Sequence, residues 1–291
     1  MKGELAMHSR ELGLVLAQQL LDVDDLHYGW WEEGEQPTMG RLRDAQERYS
    51  QRLVEVVERH CPPGGRVLDV GCGTGHLMEK MLVHGFEVDG VIPAPWLEQR
   101  VHERIERLQP AYRPTVFPCM FEKMPQSAAG QPYDIVLFSE SFQYIPLADS
   151  LPTIRRLLKP GGKVVVCDFF KTEHHGDGQP GDKSFGGGHK LDRFHAALDE
   201  YRFAIEQDED ITRFISPSVA LVDEMLRTRI APACGSIDRY ITARVPRLRR
   251  FVGWLLRKKL AKLRYKYLEE NRTQAVFERY KSYRLLVLKP E

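Results

Sequence analysis

Three alternating glycines, Gly71, Gly73 and Gly75, follow the apolar run Arg66–Val70 and precede a stretch that reads as a helix. A strand that ends in Gly-x-Gly-x-Gly and enters a helix lets a ligand approach bare backbone, because side chains there would block it. Asp69 and Cys72 lie in the same turn, which the Asp69 carboxylate could cap or orient. The dinucleotide-binding fingerprint would need a third glycine at position 76, which is His76. The spacing therefore disfavours a nicotinamide cofactor.

Three further segments carry groups suited to chemistry. Ser139-Glu140-Ser141-Phe142-Gln143-Tyr144 follows another apolar run. Glu140 offers a carboxylate for proton removal or for steadying a cation, with Tyr144 as its polar aromatic neighbour. The alternative for Glu140 is a bond to the N-termini of nearby helices. The aromatic knot His27-Tyr28-Gly29-Trp30-Trp31 offers ring faces matched to a positive centre, although a tryptophan pair also suits the anchoring of a terminal helix. His174 and His175 occupy a Gly-, Asp- and His-rich stretch, 174–188, that reads as a mobile loop. One of them could act as a base on a lid. With Asp177 they have the composition of a metal set, but adjacent histidines on such a loop are expected to be solvated, so no metal is expected.

The elements that must position these residues alternate regularly. Strands are expected at 66–70, 86–92, 115–118, 133–139 and 163–170, with helices between them. A further strand near 201–207 and a last one at 283–288 bracket a long helical stretch from about 217 to 275. The pattern predicts an α/β fold: a Rossmann-like, seven-stranded, mostly parallel sheet with a helical cap inserted between the last two strands. In such sheets ligands bind beyond the carboxyl ends of the strands, where strand order reverses. The expected organisation is an N-terminal helical segment (1–60) covering the site, a sheet domain (61–206 and 282–291) and a cap (207–281).

The run Leu-Asp-Val-Gly-Cys-Gly-Thr-Gly (68–75) resembles the first motif of the class I S-adenosylmethionine-dependent methyltransferases. Pro-Tyr-Asp-Ile-Val (132–136) and Leu-Leu-Lys-Pro-Gly-Gly (157–162) sit where that family has its later motifs. The knot at 27–31 is similar to the segment that folds over the cofactor in the tocopherol, sterol, sarcosine and sugar enzymes. The resemblance implies S-adenosylmethionine as cofactor, held by Asp69, Gly71, Cys72, Gly73 and Gly75, with Ser139 and Trp30 nearby. Tyr28 and one of the tryptophans would close the site, and Glu140, Tyr144, Tyr28, His174 and His175 are the candidates for catalysis.

Two positions depart from the family. Relatives often carry an acid at the end of the second strand to accept the ribose hydroxyls; here Ile92 stands there, and Asp89 should point elsewhere. Where an adenine-contacting Asp is common, this chain has Met120 and Phe121, which could sandwich adenine or be plain core residues.

Bulk composition limits the partners. The 291 residues balance to a net charge of +1, which gives no field to collect nucleic acid. No run is apolar enough to span a bilayer, the N-terminus lacks the apolar core of a signal peptide, and the five scattered cysteines read as reduced thiols. A cytoplasmic enzyme acting on a small-molecule acceptor is expected: a natural product or a lipid-like compound, methylated on carbon, nitrogen or oxygen. The average conceals one basic amphipathic stretch, 244–266. The simpler expectation is that its apolar stripe packs on the domain; the alternative is peripheral contact with an anionic membrane. The rival readings are a non-catalytic binding module and a nicotinamide-dependent oxidoreductase.

Overall fold

A computed structural model describes Gln18, Val23 and residues 27–291. The expected helical segment before residue 18 lies outside the described residues. Helix α1 (Leu42–His60) leads into β1 (Arg66–Val70), the glycine loop and α2 (His76–Val83). There follow β2 (Glu87–Val91), α3 (Pro95–Leu108), β3 (Val116–Phe117), β4 (Tyr133–Ser139), α4 (Leu147–Leu157) and β5 (Leu158–Lys171). Helix α5 (Leu191–Glu200) precedes β6 (Phe203–Asp210), and β7 (Lys281–Pro290) closes the chain. Between those last two strands lie α6 (Thr212–Ile215), α7 (Pro217–Met225), α8 (Ala231–Arg244), α9 (Pro246–Leu268) and α10 (Gln274–Tyr280).

The strands form one seven-stranded sheet in the order β3-β2-β1-β4-β5-β7-β6. The five from β3 to β5 run parallel, and β7 lies antiparallel to both β5 and β6. The fold is the expected mostly parallel sheet with helices inserted before its last strand. Strand order reverses between β1 and β4, so their carboxyl ends open a crevice at the centre of the sheet.

Both faces of the sheet are covered, which is why its strands read as continuous apolar runs. On one face α1 buries Leu53, Val54, Val56 and Val57 completely, alongside Met78 and Met81 from α2. On the other, Leu151, Ile154 and Leu157 of α4 meet Phe194 and Leu198 of α5.

Two elements differ from expectation. Strand β5 starts five residues early because Leu158 already pairs with Tyr133, and the Lys159–Gly162 turn is absorbed as a register shift before Ile135 pairs with Lys163. The expected helix 217–275 is broken. A π-helical turn, Leu226–Ile230, separates α7 from α8, and Pro246 keeps the preceding Val245 out of the helical region (φ −138°, ψ 60°), ending α8 at Arg244.

Candidate active site

The glycine loop follows from its backbone. Gly71, Gly73 and Gly75 have φ of 76°, 56° and 82°, the left-handed region that costs other L-residues roughly 1–2 kcal/mol. The N–H groups of Gly71 and Cys72 donate to Val91 O (2.8 and 3.3 Å), which fixes the loop to the end of β2. From behind, Arg104 of α3 donates through Nε to Thr74 O at 3.1 Å and pairs with Glu79. Asp69 is buried beneath. The loop is thus clamped on its outer side, and α2 begins directly after it.

Around this loop the cofactor candidates separate. Ile92 is buried, and its N–H donates to Phe117 O as a continuation of the sheet. Asp89 points away, into a buried knot: it accepts from Arg66 (2.7 Å), Tyr112 OH (2.9 Å), Thr115 N–H (2.7 Å) and Tyr133 OH (2.9 Å). Phe121 lies in the core, edge-on to Phe138 at 5.2 Å, whereas Met120 is 44% exposed. Of the two, only Met120 is free to cover a planar ligand.

At the end of β4, Glu140 adopts φ 53°, unusual for a side chain with a Cβ and a kind of strain that collects at functional sites. Its N–H donates to Cys167 O at 2.9 Å, which holds the turn. Its Oε1 accepts from the N–H of Tyr28 (3.0 Å) and from the Tyr283 hydroxyl (2.7 Å). The Tyr283 hydroxyl lies 3.0 Å from that of Tyr49, which is 3.2 Å from Ser139 Oγ. A polar chain therefore runs from Ser139 to the N-terminal segment through two tyrosines. Burial, with the Glu140 carboxylate adding to it, pushes the phenols of Tyr28 and Tyr283 well above their ordinary range. Both stay neutral donors.

The aromatic knot divides its work. Trp30 stacks on Phe214 (4.5 Å, 11°), and Trp31 donates its indole N–H to Ser218 Oγ at 2.8 Å. Both are buried, and their N–H groups bond Ala45 O and Phe214 O (2.8 and 2.9 Å). The pair anchors the segment to α1 and to the start of the cap. Tyr28 alone turns toward Glu140, its ring 5.9 Å from Phe277 and 6.3 Å from Tyr283. Phe169 and Phe185 extend this cluster through Phe277 (6.0 and 5.1 Å). Tyr144, by contrast, is exposed.

The loop expected to be mobile is docked. Asp182, Ser184 and Phe185 are buried, and Gly187 approaches Gln143 so closely that a Cβ would meet its Oε1 at 2.1 Å. The ion-pair partners of His174 and His175 are Glu173 (3.6 Å) and Asp182 (3.4 Å), in the same loop, and burial lowers the His175 pKa. Arg279 holds Asp177 down at about 2. Among the described residues no three His, Cys, Asp or Glu side chains are arranged to hold a metal.

Sequence reasoning missed Asp168, Gln143, Lys281, Tyr49 and Tyr283. Asp168 is fully buried in β5 and accepts from Gln143 N–H (2.9 Å), Gln143 Nε2 (3.0 Å) and Phe169 N–H (2.8 Å). Burial outweighs these bonds and pushes its carboxyl up to about 8. Lys281, buried at the start of β7, donates to Gly187 O at 2.6 Å and lies 4.8 Å over the Phe169 ring. Burial brings its ammonium down to about 7. A carboxylate inside the apolar run Val164–Phe170 was the one visible signal.

These shifts have opposite signs in stability. Between pH 3.8 and about 8 the folded Asp168 keeps a proton that the unfolded chain has lost, so its contribution falls as pH rises. Between about 7 and 10.5 the unfolded Lys281 keeps a proton that the folded one has lost, so that contribution rises. Urea unfolding should show wild type losing stability between about pH 5 and 7.5 relative to Asp168→Asn, by up to about 1.4 kcal/mol per pH unit. Parallel curves would mean that Asp168 titrates as an ordinary carboxyl.

The comparisons with known proteins bear on this arrangement. The profile of a family described as "Methyltransferase domain" matches residues 41–203. A ubiquinone biosynthesis O-methyltransferase of Pseudomonas putida (strain GB-1) is 30% identical over 159 residues, 53% of this chain and 62% of the relative. One from Xanthomonas campestris pv. campestris (strain B100) is 34% identical over 151 residues, 49% of this chain and 57% of the relative. The chain thus matches less than two thirds of the length of these curated relatives. Among solved structures, the geranyl diphosphate C-methyltransferase of Streptomyces coelicolor A3(2), in complex with Mg2+, geranyl diphosphate and S-adenosyl-L-homocysteine, superposes with TM-score 0.64 at 16% identity. That superposition covers 92% of this chain and 91% of the other. A cyclopropane synthase of Mycobacterium tuberculosis gives TM-score 0.62 at 15% identity, covering 91% and 90%.

Proposed function

Because the chain belongs to the methyltransferase-domain family, we propose that it transfers a methyl group from S-adenosylmethionine to a small, largely apolar acceptor, a natural product or lipid-like compound. The observation that carries this reading is the loop Gly71–Gly75, three left-handed glycines at the carboxyl end of β1, beside the point where strand order reverses. The residues fit the cofactor: bare backbone for the methionine half, buried Asp69 as the brace beneath, and Met120 exposed at the edge as a cover for adenine. Ile92 brings no carboxylate to the ribose, so backbone or the loop after Pro93 must serve it.

Bound S-adenosylmethionine supplies an electrophilic methyl on a sulfonium sulfur. The chain must hold the acceptor in line with it and exclude water. Tyr28, Phe169, Phe277 and Tyr283 supply ring faces for an apolar or cationic group. Glu140 is the carboxylate for proton removal or cation stabilisation, with the Tyr283 hydroxyl fixing its orientation. Asp168 positions Gln143 beneath the 184–188 loop.

Glu140→Gln retains an oxygen that can accept from Tyr28 and Tyr283, so the N-terminal segment stays docked while the charge is lost. It should lower kcat by at least about tenfold with cofactor affinity unchanged. Unaltered turnover would reduce Glu140 to an anchor. The function itself is tested by incubating the chain with methyl-labelled S-adenosylmethionine and a metabolite and lipid extract, then locating the label by mass spectrometry. A labelled apolar product is expected; cofactor binding with no labelled product across such extracts would favour a non-catalytic module.

A further inference from the structure

Helices α8 and α9 run antiparallel as a hairpin, joined at Val245–Pro246 and pinned by Arg249, which donates to both oxygens of Asp238 (2.9 and 3.0 Å). No described residue of the hairpin, 231–268, is buried. Leu248, Phe251, Val252 and Leu255 recur at helical spacing as one stripe, and three of them are 59%, 61% and 62% exposed (Leu248, Phe251 and Leu255). Ile237, Tyr240 and Ile241 repeat the pattern on α8, also exposed. The stripe expected to pack on the sheet domain therefore faces outward. A contiguous apolar surface of this kind marks a contact site.

Charge identifies the occupant. From Arg239 to Leu268 the chain carries eleven Lys and Arg and no Asp or Glu, although the whole chain has 42 basic against 41 acidic residues. The field is confined to the hairpin, and the remainder is acidic. A second copy would set one such field against another. Nucleic acid would satisfy the charges and leave Leu248, Phe251 and Leu255 in water. An anionic lipid surface satisfies both, since apolar side chains enter the headgroup boundary while Arg and Lys extend along it to the phosphates. Trp254, 61% exposed beside Arg257 (6.0 Å), is the residue type that settles at that boundary. No helix among the described residues is long and apolar enough to cross a membrane, which is consistent with a surface orientation.

We propose that the α8–α9 hairpin docks the protein on anionic membrane surfaces, with Leu248, Phe251 and Leu255 inserted and the flanking arginines on lipid phosphates. This docking does not depend on methyl transfer. Its test is flotation of the full chain with phosphatidylcholine vesicles, with or without roughly 30% phosphatidylglycerol. At least about tenfold more protein should float with the anionic vesicles, and Trp254 emission should shift to the blue, a shift absent in Trp254→Phe. The variant Leu248→Ser/Phe251→Ser/Leu255→Ser keeps every charge and alters only exposed positions. It should float at least about tenfold less at an unchanged melting temperature. Equal flotation of that variant, or none of wild type on anionic vesicles, would overturn the proposal. So would a dimer in vesicle-free solution that the variant abolishes, because the stripe would then be covered by a second copy. S-adenosylmethionine affinity, measured in parallel, reports separately on the proposed reaction.

Discussion

Gly71→Ala is expected to weaken S-adenosylmethionine binding by about tenfold to a hundredfold. Two separate costs act at this position. Its φ of 76° lies in the left-handed region, where a Cβ costs roughly 1–2 kcal/mol. That Cβ would also stand 2.5 Å from Ser141 Cβ, so one of the two must move. Ser141 donates its hydroxyl to Val70 O and thereby ties the exit of β4 to the end of β1. Displacing it opens the junction where Glu140 and the glycine loop meet. Gly64→Ala is the matched control: its φ is 70° but nothing lies within 4 Å of the added Cβ. That variant should lose some stability and keep its affinity. Titration with S-adenosylhomocysteine separates the two, and equal affinity in Gly71→Ala and wild type would remove the loop from the cofactor site.

The largest stability effect is expected at Asp89. Asp89→Ala leaves the Arg66 guanidinium, two tyrosine hydroxyls and the Thr115 N–H without their shared acceptor inside the sheet. Breaking a buried pair by removing one partner costs on the order of 3–5 kcal/mol. The melting temperature should fall by roughly 10 °C in a chain of this size. The fraction that remains folded should bind S-adenosylmethionine normally, because Asp89 faces away from the loop. If Asp89 were the ribose-binding acid that position 92 lacks, affinity would collapse at an unchanged melting temperature.

The parts of the fold legible from sequence were those with local causes. Arg66–Val70 and Tyr133–Ser139 emerge as strands with the bounds that their apolar runs imply. The place of Asp89, three residues before Ile92, implied that its side chain points elsewhere, and it lies in the knot with Arg66, Tyr112 and Tyr133. Contacts across long sequence separations stayed hidden. Glu140 meets Tyr28 and Tyr283, 112 and 143 positions away, and nothing local marks either tyrosine as its partner. Burial of Lys281 follows from β7 entering between β5 and β6, a consequence of topology and not of its neighbours in sequence. Periodicity in 248–255 reported an amphipathic helix but not which surface its stripe would meet. Composition made 174–188 look mobile because glycine and charge dominate it, whereas three buried side chains, Asp182, Ser184 and Phe185, fasten it.

The most direct measurement of the central claim is calorimetric titration of the chain with S-adenosylhomocysteine and, separately, with NADH. Saturable binding of S-adenosylhomocysteine at one site per chain, weakened in Gly71→Ala, and no heat with NADH is the predicted result. Tight NADH binding with none for S-adenosylhomocysteine would contradict it.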